Sequence, residues 1–256
     1  MPTILAFGNS HLWPFVRGHR SLLDKGEIDY DLAVLDFQQA QYEPFVERKS
    51  NGMAVYNPLV VEALRTAIAE HKPIGIATAI HGSDHWRHGV IKGPNPFDIV
   101  VPALPQHRMS PGVPLVPYDL FVRRIHIAML WQFGIVTVLR RLCDLPIFHL
   151  EAPPPVENES LALRGVYGHF KEAMDEFGTP TVSHRFKLWW VWSQVAMHIC
   201  AESGVHFIEG PPETRDNNGF LNEQYYEDGV HGSNAYGALI ARELAHAMRG
   251  LGLLGG

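Results

Sequence analysis

The chain has 256 residues, 46% of them hydrophobic and 19% charged, which is ordinary globular usage and enough length to bury a substantial core. Disordered, collagen-like and coiled-coil classes are excluded by that balance. The net charge of −6 and the scattered Lys and Arg leave no basic footprint for a phosphate backbone, so no nucleic acid partner is expected.

The opening apolar run, 3–8, reads as a buried first strand. With no cationic segment before it, it does not read as a secretory leader. A helix is expected over 11–25, a strand over 30–37 and a helix over 57–71, the last opening with Asn57 as N-cap and Pro58 at the first helical position. The third strand is expected over 73–80. Seven prolines between 89 and 117 then make an irregular insertion, expected to wall or cover a site. The next segment, 118–142, holds the longest apolar stretch, but His126 and Gln132 interrupt it and arginines bracket it. It falls short of the roughly 20 residues that cross a bilayer, so it reads as a buried helix and no membrane span is expected.

A strand over 145–150, helices over 157–177 and 183–203, a strand over 205–208, a polar turn-rich stretch at 210–228 and a helix over 233–249 complete the chain. Trp189, Trp190 and Trp192 sit at helical spacing and read as core, not as a sugar-stacking platform. Continuous apolar strands alternating with helices imply a doubly wound, five-stranded parallel sheet inside a three-layer α/β/α sandwich. No repeat or linker divides it, so 1–256 reads as one domain. Cys143 and Cys200 show no CxxC spacing and read as buried thiols of a reducing, cytoplasmic compartment.

In such folds ligands sit beyond the carboxyl ends of the strands. There the first strand runs into Gly8-Asn9-Ser10-His11. Ser10 has two readings: an N-cap of the following helix, or a nucleophile whose own amide, at the helix N-terminus, holds developing negative charge. At the other end, Asp228 and His231 stand three apart in a turn before the last helix. That spacing lets a carboxylate fix one imidazole nitrogen while the other faces outward as a base.

Taken together, these blocks resemble the SGNH/GDSL hydrolase family. The first block reads Gly8-Asn9-Ser10, with Asn where the family usually has Asp, and the last reads Asp228-Gly229-Val230-His231. The strand end Phe148-His149-Leu150-Glu151-Ala152-Pro153-Pro154-Pro155 and the run His231-Gly232-Ser233-Asn234-Ala235-Tyr236-Gly237 are similar to bacterial members. The resemblance implies a flavodoxin-like sandwich and an ester hydrolase with Ser10 as nucleophile, His231 as base and Asp228 as its orienting acid. It implies no cofactor, and a small-molecule or glycan ester as substrate. For the oxyanion hole it implies the amides of Ser10 and Gly52, although Gly52 also reads as a turn residue. The family's third-block asparagine is absent. His81-Gly82-Ser83-Asp84-His85 stands there, and Ser83, which can donate a hydrogen bond, fits better than Asp84, which repels an oxyanion. Asn9, His11, His81 and His85 are the expected pocket residues.

Two other functions stay open: a non-catalytic or weakly active binding protein on the same fold, and a metal-dependent hydrolase using His81, His85 and His88. Phosphate-binding GxGxxG and Walker loops and the GxSxG elbow are absent. Oligomeric state is not legible.

Overall fold

The fold is that of a computed structural model, which describes residues 1–50, 54–80, 89, 91–164 and 169–255. Its elements are, in order, β1 (Thr3–Gly8), α1 (Leu12–Asp24), β2 (Asp31–Asp36), β3 (Val46–Arg48), β4 (Ala54–Tyr56), α2 (Pro58–His71) and β5 (Gly75–Ala79). Then follow α3 (Tyr118–Phe133), α4 (Ile135–Leu142), β6 (Ile147–Leu150), α5 (Glu159–Ala162), α6 (His169–Phe177), α7 (Val182–Glu202), β7 (His206–Ile208) and α8 (Asn234–Gly250).

Five strands form one parallel sheet in the order β2-β1-β5-β6-β7. The chain winds outward from β1 to β2 and then returns to β1's other side, so β1 and β5 flank the switch point where such sheets bind ligands. Both strands end in register there, Gly8 opposite Ala79. A Cβ on Gly8 would lie 2.3 Å from the Ala79 carbonyl oxygen, so glycine is required for the strand ends to close up before the chain turns into Ser10.

Side chains of β1 alternate between two cores, as a strand's period of two demands. Ile4 and Ala6 pack with Leu12, Phe15, Ile240 and Leu244, while Leu5 and Phe7 pack toward α2, α3, α4 and α7. Helices α1 and α8 therefore share one face of the sheet. Their backbones meet directly: a Cβ on Gly237 would lie 1.8 Å from the Pro14 carbonyl oxygen, and one on Gly18 would lie 2.1 Å from the Ala238 nitrogen. Bulk at either position would push the first and last helices apart.

The five expected strands are present, and the tryptophan segment is core, with Trp189 and Trp192 buried and Trp190 half-buried. Two helix expectations need correction. The segment 118–142 is two helices meeting at a bend of 41°, because the Tyr56 hydroxyl, 75 residues away, donates to the Trp131 carbonyl (2.6 Å) where the helix would continue. The segment 157–177 is also not one helix. The carbonyls of Leu161 and Arg164 accept from Tyr226 Oη (2.6 Å) and the Gly229 amide (2.8 Å), so α5 ends there to hold another loop. The antiparallel hairpin of β3 and β4 was not foreseen, its strands being three residues long. Cys200 is buried as expected, but Cys143 is only half-buried, and both are free thiols. Among the described residues no single helix is long and apolar enough to cross a membrane.

Candidate active site

Ser10 stands at the carboxyl edge of β1, where the Asn9 amide donates to the Ala79 carbonyl (3.1 Å) and the Leu12 amide to the Asn9 carbonyl (2.8 Å). The N-cap of α1 is His11, in helical conformation and without a side-chain cap bond. The Ser10 hydroxyl thus does no capping, whereas Asn57, Asn158, Thr181 and Ser233 each cap their helices with a side-chain oxygen. This removes the capping explanation for Ser10. Ser10 itself is half-buried, next to the N-terminal end of α1, where unpaired amides favour negative charge.

The loop 226–233 is folded around Asp228. One carboxylate oxygen accepts from the amides of Val230 and His231 (3.2 Å each) and contacts His231 Nδ1 at 2.7 Å. Burial on its own would raise the Asp228 carboxyl. The hydrogen bond and charge of His231 and the two amides outweigh it and hold the group below the usual carboxylate range. His231 Nε2 is buried and has no hydrogen-bond partner among the described residues, so it is not bonded to Ser10 Oγ. The His231 ring lies 4.9 Å from the ring of His11, the residue after Ser10. Arg17 of α1 straps the loop down, reaching Glu227 (2.6 Å) and Asn234 (2.5 Å).

The structure therefore brings together Asp228, His231 and His11, with Ser10 and Asn9 adjoining in the chain. Asn9 is half-buried, and its Oδ1 is enclosed without a hydrogen bond among the described residues. A crevice of about 20 Å³ beside them is lined by His11, Ala79, Leu150, Glu151, Gly232 and Tyr236. Gly52, His81, Ser83, Asp84, His85 and His88 lie outside the described residues.

Among solved structures, the native aryl esterase of M. smegmatis superposes over 98% of this chain and 100% of its own, with a TM-score of 0.50 at 14% identity. An enzyme proposed to be an acylhydrolase, from Bacteroides fragilis NCTC 9343, superposes over 97% and 87% (TM-score 0.50, 10% identity). A GDSL-like lipase from Bacteroides thetaiotaomicron VPI-5482 superposes over 97% and 88% (TM-score 0.48, 13% identity). No family model and no curated protein matches the sequence.

The chain shares the fold of the aryl esterase and of the acylhydrolase-like enzyme, a parallel sheet between two layers of helices.

On that fold three buried charged clusters were missed by sequence reasoning. Glu151, just past β6, accepts from the Gly210 amide (2.7 Å), Arg215 (2.9 Å) and the Ser193 hydroxyl. Burial raises its carboxyl, with Arg215, Ser193 and Gly210 opposing. Its partners are 42 to 64 residues away, which no local pattern reveals. Asp98 is fully buried. Its carboxylate is bonded by Lys187 (2.5 Å), His184 (3.0 Å) and the amides of Ile99 (2.7 Å) and Ser110 (2.6 Å), and it pins the proline-rich insertion to α7. Arg185 is the third buried charge. Its guanidinium, in the first turn of α7, has no hydrogen-bond partner among the described residues. The insertion itself walls a cavity of about 590 Å³ lined by residues such as Phe97, Pro111, Phe170 and His184. None of Ser10, Asp228 and His231 lines it, so its wall is not the wall expected around the serine.

Proposed function

We propose that this protein is a serine esterase working through an acyl-enzyme. His231 Nε2 takes the proton of Ser10 Oγ as that oxygen bonds to the ester carbonyl carbon. The tetrahedral oxyanion rests on the Ser10 amide, joined in this reading by the Gly52 amide and the Ser83 hydroxyl. Collapse breaks the bond to the alcohol, which leaves with the proton from His231. Water, deprotonated by the same nitrogen, then releases the acid and restores Ser10. Asp228 keeps the Nδ1 proton in place and offsets the imidazolium charge. The chemistry needs no metal or organic cofactor, and the substrate is a small-molecule or glycan ester. A cytoplasmic site of action is part of the proposal, in keeping with the two free thiols.

The observation that carries this reading is the His231 imidazole, fixed at Nδ1 by Asp228 at 2.7 Å, without a partner at Nε2 among the described residues, and set 4.9 Å from the ring next to Ser10. The missing Ser10–His231 hydrogen bond is compatible with it, since catalytic bonds are often long before substrate binds. The test is hydrolysis of p-nitrophenyl acetate together with labelling by a fluorophosphonate. The expected result is a single adduct on Ser10 and loss of both signals in Ser10→Ala. Wild-type turnover in that variant would reject the assignment.

A further inference from the structure

Arg185 is 2% exposed, and its Nε, Nη1 and Nη2 are all enclosed without a hydrogen-bond partner among the described residues. The other cations near the core are held differently. Buried Lys187 bonds Asp98 and the Ile99 carbonyl (2.9 Å), and half-buried Arg215 bonds Glu151 through Nη2. A guanidinium carries five N–H donors and keeps its proton, so burying one unpaired is among the most costly arrangements a fold can hold. Burial works against its charge. Glu159 and Tyr226 are the groups that favour it electrostatically, and neither is hydrogen-bonded to it.

The side chain is also held in place. A Cβ on Gly89 would lie 3.2 Å from Arg185 Cγ, so the stem runs tight against that backbone. Arg185 lines a cavity of about 20 Å³ together with Pro153, Pro155, Tyr226, Val230 and His231. That volume holds roughly one oxygen-sized group. Arg185 and the candidate base thus line the same small space.

We propose that Arg185 is a substrate-binding residue that receives a free carboxylate carried by the ester, so that the preferred substrates are acidic esters. This deepens the esterase reading and rests on it. One carboxylate oxygen fits the cavity and can accept a charge-assisted hydrogen bond from the guanidinium there. Water fills the space without balancing the charge.

The probes are monomethyl succinate, with the acid on the acyl side, and acetoxyacetate, with the acid on the alcohol side. Each is set against its neutral methyl ester and against inorganic phosphate. Binding is measured by calorimetry on Ser10→Ala protein, so it does not depend on turnover. The expected result is that one acidic probe binds about 10- to 100-fold more tightly than its neutral counterpart, the range for a charge-assisted hydrogen-bonded pair, and which probe does so identifies the side. Arg185→Met should remove that preference. In wild-type protein it should also lower the kcat/KM ratio of p-nitrophenyl hemisuccinate, or of acetoxyacetate, over p-nitrophenyl acetate by a similar factor. Should Arg185→Met not fold, the acidic-against-neutral comparison on Ser10→Ala still decides. Equal binding of acidic and neutral probes, or binding of phosphate alone, would overturn the proposal while leaving Ser10-dependent hydrolysis intact. An Arg185-dependent preference in a protein that hydrolyses no ester would instead sink the esterase reading and keep the carboxylate site.

Discussion

Two aspartate–histidine pairs stand in this molecule with nearly the same contact, Asp98 with His184 at 3.0 Å and Asp228 with His231 at 2.7 Å, and they do different work. The first is sealed in the protein. Asp98 and Lys187 are 0% and 1% exposed at the side chain; His184 and Lys187 tie the carboxylate to α7, while the amides of Ile99 and Ser110 bond it within the insertion. In the second, the histidine side chain is 21% and the aspartate 45% exposed, and Nε2 is left over beside His11 and the Ser10 turn. The contact distance therefore says little about role. What separates the pairs is place: only His231 stands at the carboxyl edge of the sheet, beside the turn that carries the strand-end hydroxyl of Ser10.

The largest effects should come from Ser10→Ala and His231→Ala. Each should lower kcat for p-nitrophenyl acetate on the order of 10⁴-fold or more with an unchanged melting temperature, since neither side chain supports a helix end or the core. Steady-state assays paired with thermal melts check this. Next, Asp228→Asn should cost roughly 10³- to 10⁴-fold in kcat by freeing the imidazole tautomer. The same substitution at Asp98 should leave the chemistry in place. A drop in kcat for Asp98→Asn as large as for Asp228→Asn would erase the distinction between the pairs.

Asp98→Asn should instead act on stability, by about 3–5 kcal/mol, because it strands the buried Lys187 ammonium. For a chain of this size that is a fall in Tm on the order of 10 °C. Its pH dependence has a definite sign. Burial pushes the Asp98 carboxyl up, but the bonds from His184, Lys187, Ser110 and Ile99 prevail and hold it well below the usual range. A carboxyl depressed in the folded state contributes fully above its unfolded pKa, about 4, and loses that contribution as pH falls through the folded value. The gap between wild type and Asp98→Asn in chemical denaturation should be full at pH 5–7 and shrink only below about pH 4. A gap that closes between pH 5 and 7 would mean that a histidine, not the carboxylate, sets it.

The sheet was legible because its strands are mostly apolar runs, and the 226–233 loop because Asp228 and His231, three apart in sequence, are also in contact in space. What stayed hidden depends on partners far along the chain. The bend at Gly134 is made by Tyr56, the end of α5 by Tyr226 and Gly229, and the burial of Lys187 by Asp98, 89 residues away. Arg185 reads as one more polar residue on a helix until the packing encloses it. The role of Ser10 was ambiguous for a different reason: a serine before a helix is equally well a cap, and only backbone geometry separates the cases.

That ambiguity gives the smallest and cleanest comparison, between the serines that precede the first and last helices. Ser233 is the N-cap of α8. Its Oγ accepts from the Tyr236 amide at 3.5 Å and donates to the Gln224 carbonyl at 3.4 Å, while the Ser10 hydroxyl caps nothing. Removing a capping hydroxyl typically costs about 1 kcal/mol. Ser233→Ala should therefore lower Tm by roughly 2–4 °C. Its effect on hydrolysis should be far below that of Ser10→Ala, because the loop is also held by Arg17, Tyr226 and Gly229. Denaturant melts and initial rates on the two variants read both effects at once. If Ser10→Ala destabilised the protein as much as Ser233→Ala does, its hydroxyl would be a structural group after all, and the nucleophile would have to be sought elsewhere along the same sheet edge.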